Sequence, residues 1–273
     1  MKELVTRAVT GILFTAILVG AICFHQYSFL VLFSLITALT LWEFYGLMKI
    51  KTLKRIFLSI GGSYLFVATF LFTHALTEKT IFIPYILFCL SIPILELYNK
   101  KSTNPTQYWA IALLGQLYGA GSFSLLNALT IPILGQTGTY TPVFTLSLFI
   151  FIWSSDTGAY IFGSLLGKHK LFERISPNKT WEGFIGGLFT AAIASLIMAY
   201  FYTDISYLYY LGMALTVVIF GTWGDLIESF IKRTLQVKDS GKILPGHGGM
   251  LDRFDSMILA IPAVYIFMEL FLR

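Results

Sequence analysis

Stretches of about twenty mostly apolar residues follow one another along this chain, separated by short polar connections. A stretch of this length spans the hydrocarbon core of a bilayer as an α-helix, which satisfies its own backbone hydrogen bonds where no water is available. With 56% hydrophobic and 12% charged residues, the composition excludes a soluble globular domain. The sequence therefore predicts an all-α polytopic membrane protein.

A hydropathy scan predicts nine transmembrane helices. The first apolar stretch is expected to be a transmembrane helix rather than a cleaved signal peptide, because no small-residue cleavage pattern follows it. The two cysteines fall inside apolar stretches and predict neither a disulfide nor a metal cluster. The predicted spans are approximately 8–24, 28–48, 56–75, 80–98, 108–129, 143–166, 182–202, 207–228 and 256–272.

The basic residues indicate how these spans are oriented. If the N-terminus lies inside, every Lys and Arg except Lys79 and Arg273 falls on an inner segment, as expected when cationic residues collect in cytoplasmic loops. We therefore expect the N-terminus inside and the C-terminus outside. This topology also explains the net charge of +5, so no nucleic-acid partner is expected.

Acidic residues stand inside or at the ends of several predicted spans, where an ionised carboxylate is costly unless it is paired, bound to a metal or facing water. In the predicted topology they all lie toward the cytoplasmic half of the membrane. Asp225 has no basic neighbour on its own helix, so it is expected to bind a cation. These acids are Glu43, Glu96, Asp156, Asp225 and Glu228.

The end of the eighth span, GTWGDLIESFIKR, carries a row of polar side chains. They stand at i, i+3, i+4 and i+7 and therefore project from one face of the helix. The simpler interpretation is an ion pair between Glu228 and Lys232 at a solvated helix end. The row consists of Asp225, Glu228, Ser229 and Lys232.

The following segment, SFIKRTLQVKDSGKILPGHGGMLDRFD at residues 229–255, is rich in glycine and basic residues. Gly248 and Gly249 allow positive φ angles, so successive backbone amides can form an anion-binding nest. Asp252 and Asp255 add oxygen ligands of the kind that Mg²⁺ prefers. The alternatives are a plain turn, and basic residues that only mark the inner face or attract anionic lipids.

Two further motifs contain candidate site residues. In SSDTGAYIFGSLLGK, Asp156 stands among small and hydroxyl residues, for which close helix packing is the alternative explanation. In SPNKTWEG, Thr180 and Glu182 suit the start of a helix, which leaves Lys179 as a candidate cation. His247 either donates to a phosphate or caps a turn.

Together these features predict an inward-facing polar chamber with carboxylates, an amide nest and fixed cations. Such a chamber suits phosphoryl or nucleotidyl transfer, in which positioning and charge neutralisation supply most of the catalysis. Residue spacing identifies neither the nucleotide nor the lipid. We expect residues 1–140 to form an N-terminal bundle (spans 1–5) without assigned functional residues. Residues 141–273 should form a catalytic bundle (spans 6–9) with polar loops at 167–180 and 229–255.

The segment 229–255 resembles the signature of phosphatidate cytidylyltransferases, also called CDP-diacylglycerol synthases. DTGAY, SPNKTWEG and GDLIES are similar to the same family's C-terminal half, so the resemblance covers about residues 150–273. The first 140 residues resemble the family only in being hydrophobic spans. The matching positions are Ser229, Lys232, Arg233, Lys238, Asp239, Gly241, Leu244, Gly246, His247, Gly248, Gly249, Asp252, Arg253 and Asp255, with apolar residues at 231, 250 and 254.

The resemblance implies an enzyme of phospholipid biosynthesis in the cell (plasma or inner) membrane. It would convert CTP and phosphatidate into CDP-diacylglycerol and pyrophosphate at the cytoplasmic face, with Mg²⁺, room for a second cation, and a homodimeric assembly. Asp225 and Asp252 would be the leading metal ligands, with Glu228 and Asp255 as weaker candidates. The implied catalytic cations are Lys179, Lys232, Arg233 and Arg253, and the implied substrate-binding residues are Asp156, Ser229, Lys238, His247, Gly248 and Gly249.

Two other classes of protein stay open at this point. An ion-coupled transporter also places acids inside helices, but transporters usually bind at the midplane between repeated halves, and the sequence has no detectable repeat. Another CTP-using membrane enzyme, such as a lipid-alcohol kinase or a synthase for ether-linked phosphatidate analogues, is the closer alternative. The CDP-alcohol phosphotransferases are disfavoured, because their acid motif is absent.

Overall fold

The structure is a computed structural model that describes residues 2–100, 103–131, 139–241, 243 and 248–271, with side chains from residue 9 onward. This part of the chain forms nine helices and one two-stranded hairpin. The helices are α1 (Lys2–Phe24), α2 (Gln26–Leu47), α3 (Thr52–Thr73), α4 (Lys79–Leu97), α5 (Pro105–Thr130), α6 (Val143–Leu166), α7 (Trp181–Phe201), α8 (Tyr207–Thr234) and α9 (Leu251–Phe271). The strands are β1 (Lys170–Phe172) and β2 (Ser176–Thr180).

The helices have the length and surface of membrane spans. Eight of them, α2 to α9, are long and apolar enough to cross a membrane, and α1 contains a shorter apolar stretch, Val9–Phe24. Large apolar side chains such as Ile12, Leu87 and Leu117 are exposed, as suits contact with lipid. The predicted all-α polytopic membrane fold is therefore confirmed. In the described part of the chain, eight of the nine predicted spans correspond to helices that can cross a membrane, and the predicted span 8–24 falls on α1.

The chain divides into two compact units. The first consists of Met1–Pro132, Gln136–Tyr140 and Asp239–Phe254, and the second of Ile133–Gly135, Thr141–Lys238 and Asp255–Arg273. The first unit thus contains α1 to α5 together with the glycine-rich part of the 229–255 segment. The second contains α6, the hairpin, α7, α8 and most of α9.

In the first unit, polar side chains among the buried residues bond to one another. Gln116 Nε2 donates to the Leu58 carbonyl and to the Tyr45 hydroxyl, both at 2.9 Å, and Tyr45 donates to the Ala112 carbonyl at 2.8 Å. Gln116 also begins a π-helical turn, Gln116–Gly121, within α5. These bonds satisfy polar groups that would otherwise lack a partner away from water. In the same unit, the buried phenylalanines of α2 and α3 pack against one another; they are Phe29, Phe33, Phe66 and Phe70.

In the second unit, α6 and α7 approach each other closely through small residues. A Cβ at Gly158 would overlap the Thr190 side chain and would lie 2.7 Å from the Gly186 carbonyl oxygen. The Thr190 hydroxyl donates to the Ser154 carbonyl at 2.8 Å. Small residues and interhelical hydrogen bonds are common means of packing helices in membranes. Close packing therefore explains the small residues of the SSDTGAY motif.

Gly158→Val is expected to lower the thermal unfolding midpoint in detergent. The added side chain would overpack the α6–α7 contact, and overpacking costs about 1–3 kcal/mol. Gly20→Val is the matched control, because a Cβ at Gly20 meets nothing within 4 Å. The midpoint is measurable by circular dichroism, and equal midpoints for the two variants would contradict the close packing.

The segment 167–180 differs from its expected form. The sequence predicts only a polar loop, whereas β1 and β2 pair antiparallel, with Lys170 opposite Thr180. Short strands rich in charged residues carry no apolar alternation, so their pattern does not distinguish them from a loop. The hairpin ends directly at the start of α7.

Candidate active site

A cavity of about 240 Å³ lies between α6, β2, α7 and α8 in the second unit. We call it the α6–α8 cavity. Asp156, Lys179 and Asp225, three of the residues singled out in the sequence, line it together. Asn178 lines it too, although its position in the SPNKTWEG motif did not indicate a role. The polar lining includes Ser155, Asp156, Asn178, Lys179, Thr180 and Asp225.

An ion pair crosses the polar part of this cavity. Lys179 Nζ lies 2.5 Å from Asp225 Oδ2, and the two side chains are only 27% and 30% exposed. The Ser229 hydroxyl donates to the other carboxylate oxygen, Asp225 Oδ1, at 3.1 Å. Asp225 therefore finds on β2 the cation that its own helix does not provide.

The start of α7 keeps Lys179 in place. The Thr180 hydroxyl accepts the Gly183 N–H at 3.1 Å and caps the helix, as the sequence predicts. The Glu182 carboxylate accepts the Lys168 N–H at 3.1 Å and lies 2.6 Å from His169 Nδ1. These bonds tie both ends of the hairpin to α7, so the backbone that carries Lys179 is held at the cavity.

A second ion pair lies one turn further along α8. Glu228 is 1% exposed, and its Oε2 lies 2.5 Å from Lys232 Nζ. This is the i, i+4 pair that the sequence offered as the simpler interpretation of this helix end. Arg233 is exposed, with its Nε 3.5 Å from the Ile175 carbonyl oxygen.

Asp255 brings a further carboxylate into the same region of the second unit. It is close enough to Asp225, Glu228 and Lys179 to interact with them electrostatically. Gly224 permits the close approach of α8 and α9, because a Cβ there would lie 2.6 Å from the Asp255 carbonyl oxygen. Asp255 therefore has both acidic and basic groups near it, from α8 and from β2.

In the first unit, backbone N–H groups of the 229–255 segment bond to Asp252. The Asp252 Oδ2 accepts the N–H groups of Ser240 at 2.9 Å and of Gly249 at 2.8 Å. Gly248 has a φ of 84°, the positive value expected of a glycine turn. The Gly249 amide, a candidate for phosphate binding, thus bonds to Asp252. Of the other candidates, Lys238 and Arg253 are exposed, and His247 lies outside the described residues.

Glu43 on α2 lies against this segment in the first unit. Its side chain is buried, and its Oε2 accepts the Leu251 N–H at 2.8 Å and the Ser240 hydroxyl at 3.1 Å. The sequence marks Glu43 as an unusual intramembrane acid but gives it no site role. The sequence does not show which residues bond to Glu43, because these partners are 208 and 197 residues away along the chain.

The donor atoms present are suited to Mg²⁺ bound together with a phosphate. Within the described ranges, no three Asp, Glu, His or Cys side chains are placed to hold a metal ion by themselves. Mg²⁺ needs fewer, because it usually takes one or two carboxylates and completes its shell with waters and substrate phosphates. The acids around Asp225 offer such oxygen donors, so the residues fit this ion.

Comparison with known proteins supports the family resemblance over most of the chain. The sequence model of the cytidylyltransferase family matches residues 5–271. Curated relatives named phosphatidate cytidylyltransferase include those of Staphylococcus aureus (strain COL), 53% identical over 124 residues, and Staphylococcus haemolyticus (strain JCSC1435), 53% identical over 125 residues. Each match covers 45% of this chain and 48% of the relative, so the chain spans about half the length of the curated relatives it matches. Because the family model covers nearly the whole sequence, the chain belongs to the cytidylyltransferase family.

Proposed function

We propose that this protein is an integral-membrane phosphatidate cytidylyltransferase, which makes CDP-diacylglycerol and pyrophosphate from CTP and phosphatidate. The observation that carries the proposal is the Lys179–Asp225 pair inside a cavity of a cytidylyltransferase-family chain. Partly buried charges are expensive in a membrane protein and usually mark functional sites. The name of the relatives supplies phosphatidate as the lipid substrate to be tested.

In the proposed reaction, a phosphate oxygen of phosphatidate attacks the α-phosphorus of CTP. The new P–O bond joins the two phosphates of CDP-diacylglycerol. The bond between the α-phosphorus and its bridging oxygen breaks, and pyrophosphate leaves with the electron pair. The nucleophile is already an anion, so no strong general base is required. The main barrier is the repulsion between two anions, which fixed cations lower.

The residues of the second unit would divide this work. Lys179 would face the substrate phosphates from the cavity wall, where Asp225 holds its ammonium group. Lys232 and Arg233 would add positive charge at the end of α8. Mg²⁺, with a second cation allowed, would neutralise charge on the CTP phosphates when bound. Its leading proposed ligands are Asp225 of this unit and Asp252 of the first unit, with Glu228 and Asp255 as further candidates.

Other candidates would bind substrate rather than stabilise the transferred charge. Asp156 on the cavity wall and Ser229 beside Asp225 would contact the nucleotide or the lipid headgroup. In the 229–255 segment the proposed substrate contacts are Lys238, His247, Gly248 and Gly249. Arg253 is proposed as a further catalytic cation. We further propose that the site faces the cytoplasm, as the distribution of basic residues predicts, and that the protein is a homodimer.

Purified protein in detergent micelles is expected to form CDP-lipid and pyrophosphate from labelled CTP, phosphatidate and Mg²⁺. Micelles hold no ion gradient, so turnover there would also argue against a transporter. If product forms only with the ether-linked analogue of phosphatidate, that analogue replaces phosphatidate as the proposed lipid substrate. A phosphorylated lipid alcohol with release of CDP would identify a kinase instead, and the absence of any product would overturn the assignment.

A further inference from the structure

A buried carboxylate of the N-terminal helices bonds to two residues of the 229–255 segment. Glu43 is 4% exposed, and its Oε2 accepts hydrogen bonds from both sides of the segment, at Ser240 and at Leu251. Leu251 is the first residue of α9, so its N–H has no partner within the helix. Glu43 supplies that partner and places a negative charge at the helix N-terminus, where the helix dipole favours it.

The glycines of the segment leave room for this carboxylate. A Cβ at Gly241 would overlap the Glu43 carboxyl group, and a Cβ at Gly249 would overlap both that group and the Ser240 hydroxyl. Gly249, a candidate for phosphate binding, and Gly241, a matching position of the family resemblance, therefore also make room for Glu43. They let the backbone close around a side chain that comes from α2.

Glu43 reaches Asp252 through one intermediate residue. Ser240 donates its hydroxyl to Glu43 Oε2 and its backbone N–H to Asp252, at 3.1 and 2.9 Å. The Asp252 N–H in turn lies 3.3 Å from the Ser240 hydroxyl oxygen. Loss of the Glu43 carboxylate would therefore release the Ser240 hydroxyl and the Leu251 N–H together. Ser240 bonds to Asp252, and Leu251 directly precedes it.

We propose that Glu43 is a positioning residue, which holds Ser240 and Leu251 and thereby the Asp252 carboxylate in the orientation that the reaction uses. This role rests on the proposed function, because Asp252 is one of its proposed metal ligands. It also assigns a task to the N-terminal bundle, which the sequence left without functional residues.

Hydrogen–deuterium exchange of the full-length protein in detergent tests the contact without relying on activity. In Glu43→Ala, the amides of Ser240, Gly249 and Leu251 are expected to exchange at least about tenfold faster. The Leu251 N–H loses its charged acceptor, and Ser240, which shares the acceptor Asp252 with Gly249, loses the bond that holds its hydroxyl. Glu43→Gln keeps an acceptor oxygen and the side-chain volume, so its exchange should stay close to that of the wild type. Glu96→Ala is the matched control, because Glu96 is equally buried at 4% in the same unit but pairs with Lys54.

Turnover measurements then separate positioning from general stability. Glu43→Ala is expected to lower kcat at least about tenfold with a smaller change in KM for CTP, and Glu43→Gln should restore most of it. Unchanged exchange in Glu43→Ala, faster exchange spread evenly over the whole chain, or an unchanged kcat would each overturn the proposal. If the wild type makes no CDP-lipid, the proposed function fails, and the exchange comparison still decides whether Glu43 holds the segment.

Gly241→Ala gives an independent check on the same contact. Its Cβ would displace the Glu43 carboxylate, so the exchange of the Ser240 and Leu251 amides should rise as it does in Glu43→Ala. Combining the two substitutions should then add little, because both remove one interaction. Fully additive effects on exchange would contradict a contact between Glu43 and the glycine segment.

Discussion

Asp225→Asn is expected to lower the turnover of CDP-lipid formation at least about a hundredfold while the protein remains folded. The substitution keeps the shape of the side chain and an oxygen that can accept the Ser229 hydroxyl, but it removes the charge opposite Lys179. If the charge of Asp225 is used to bind a cation that assists the reaction, no neutral side chain replaces it. Steady-state rates with saturating CTP, phosphatidate and Mg²⁺ measure the effect.

The Mg²⁺ dependence distinguishes this role from a simple ion pair. Were Asp225 present only to neutralise Lys179, the Mg²⁺ concentration for half-maximal rate would stay the same in Asp225→Asn. We expect that concentration to rise at least about tenfold. Asp204→Asn serves as control, because it removes an exposed acid from the same unit and should leave turnover and size-exclusion behaviour unchanged. Turnover of Asp225→Asn near that of the wild type would remove Asp225 from the proposed metal ligands.

The helices and part of the cavity can be predicted from local sequence. The length of each apolar stretch determines where a span can begin and end, so α6 covers the predicted 143–166 and the other helices differ from their predicted bounds by a few residues. Asp225 stood out because a carboxylate at that depth needs a partner. The capping pattern at Thr180 fixed the start of α7, which places Lys179 just before it.

The parts that the sequence leaves open all depend on contacts between distant residues. Hydrophobic periodicity gives no information about which helix lies beside which, so the partners of Glu43 and the Lys179–Asp225 pair could not be derived from it. The β1–β2 hairpin is too short and too charged to produce an alternating pattern. The π-helical turn Gln116–Gly121 begins at Gln116, whose side chain bonds to Tyr45 and Leu58 on other helices.

Asp252 needs a different design, because its carboxylate has a structural task as well as a proposed catalytic one. It accepts the N–H groups of Ser240 and Gly249, so a loss of activity after its removal could follow from a displaced segment alone. The asparagine variant separates these effects. Its side-chain oxygen can occupy the position of Oδ2 and accept both N–H groups, whereas the negative charge is gone.

Asp252→Asn is therefore expected to lower turnover at least about a hundredfold while the amides of Ser240 and Gly249 exchange within about threefold of their wild-type rates. Asp252→Ala should lower turnover as strongly and also speed the exchange of both amides, since no acceptor remains. Exchange by mass spectrometry and turnover are measured on the same preparations. If Asp252→Asn works nearly as fast as the wild type and only Asp252→Ala is slow, the acceptor geometry of Asp252 matters rather than its charge. Asp252 would then hold the glycine-rich segment in place without binding a metal ion.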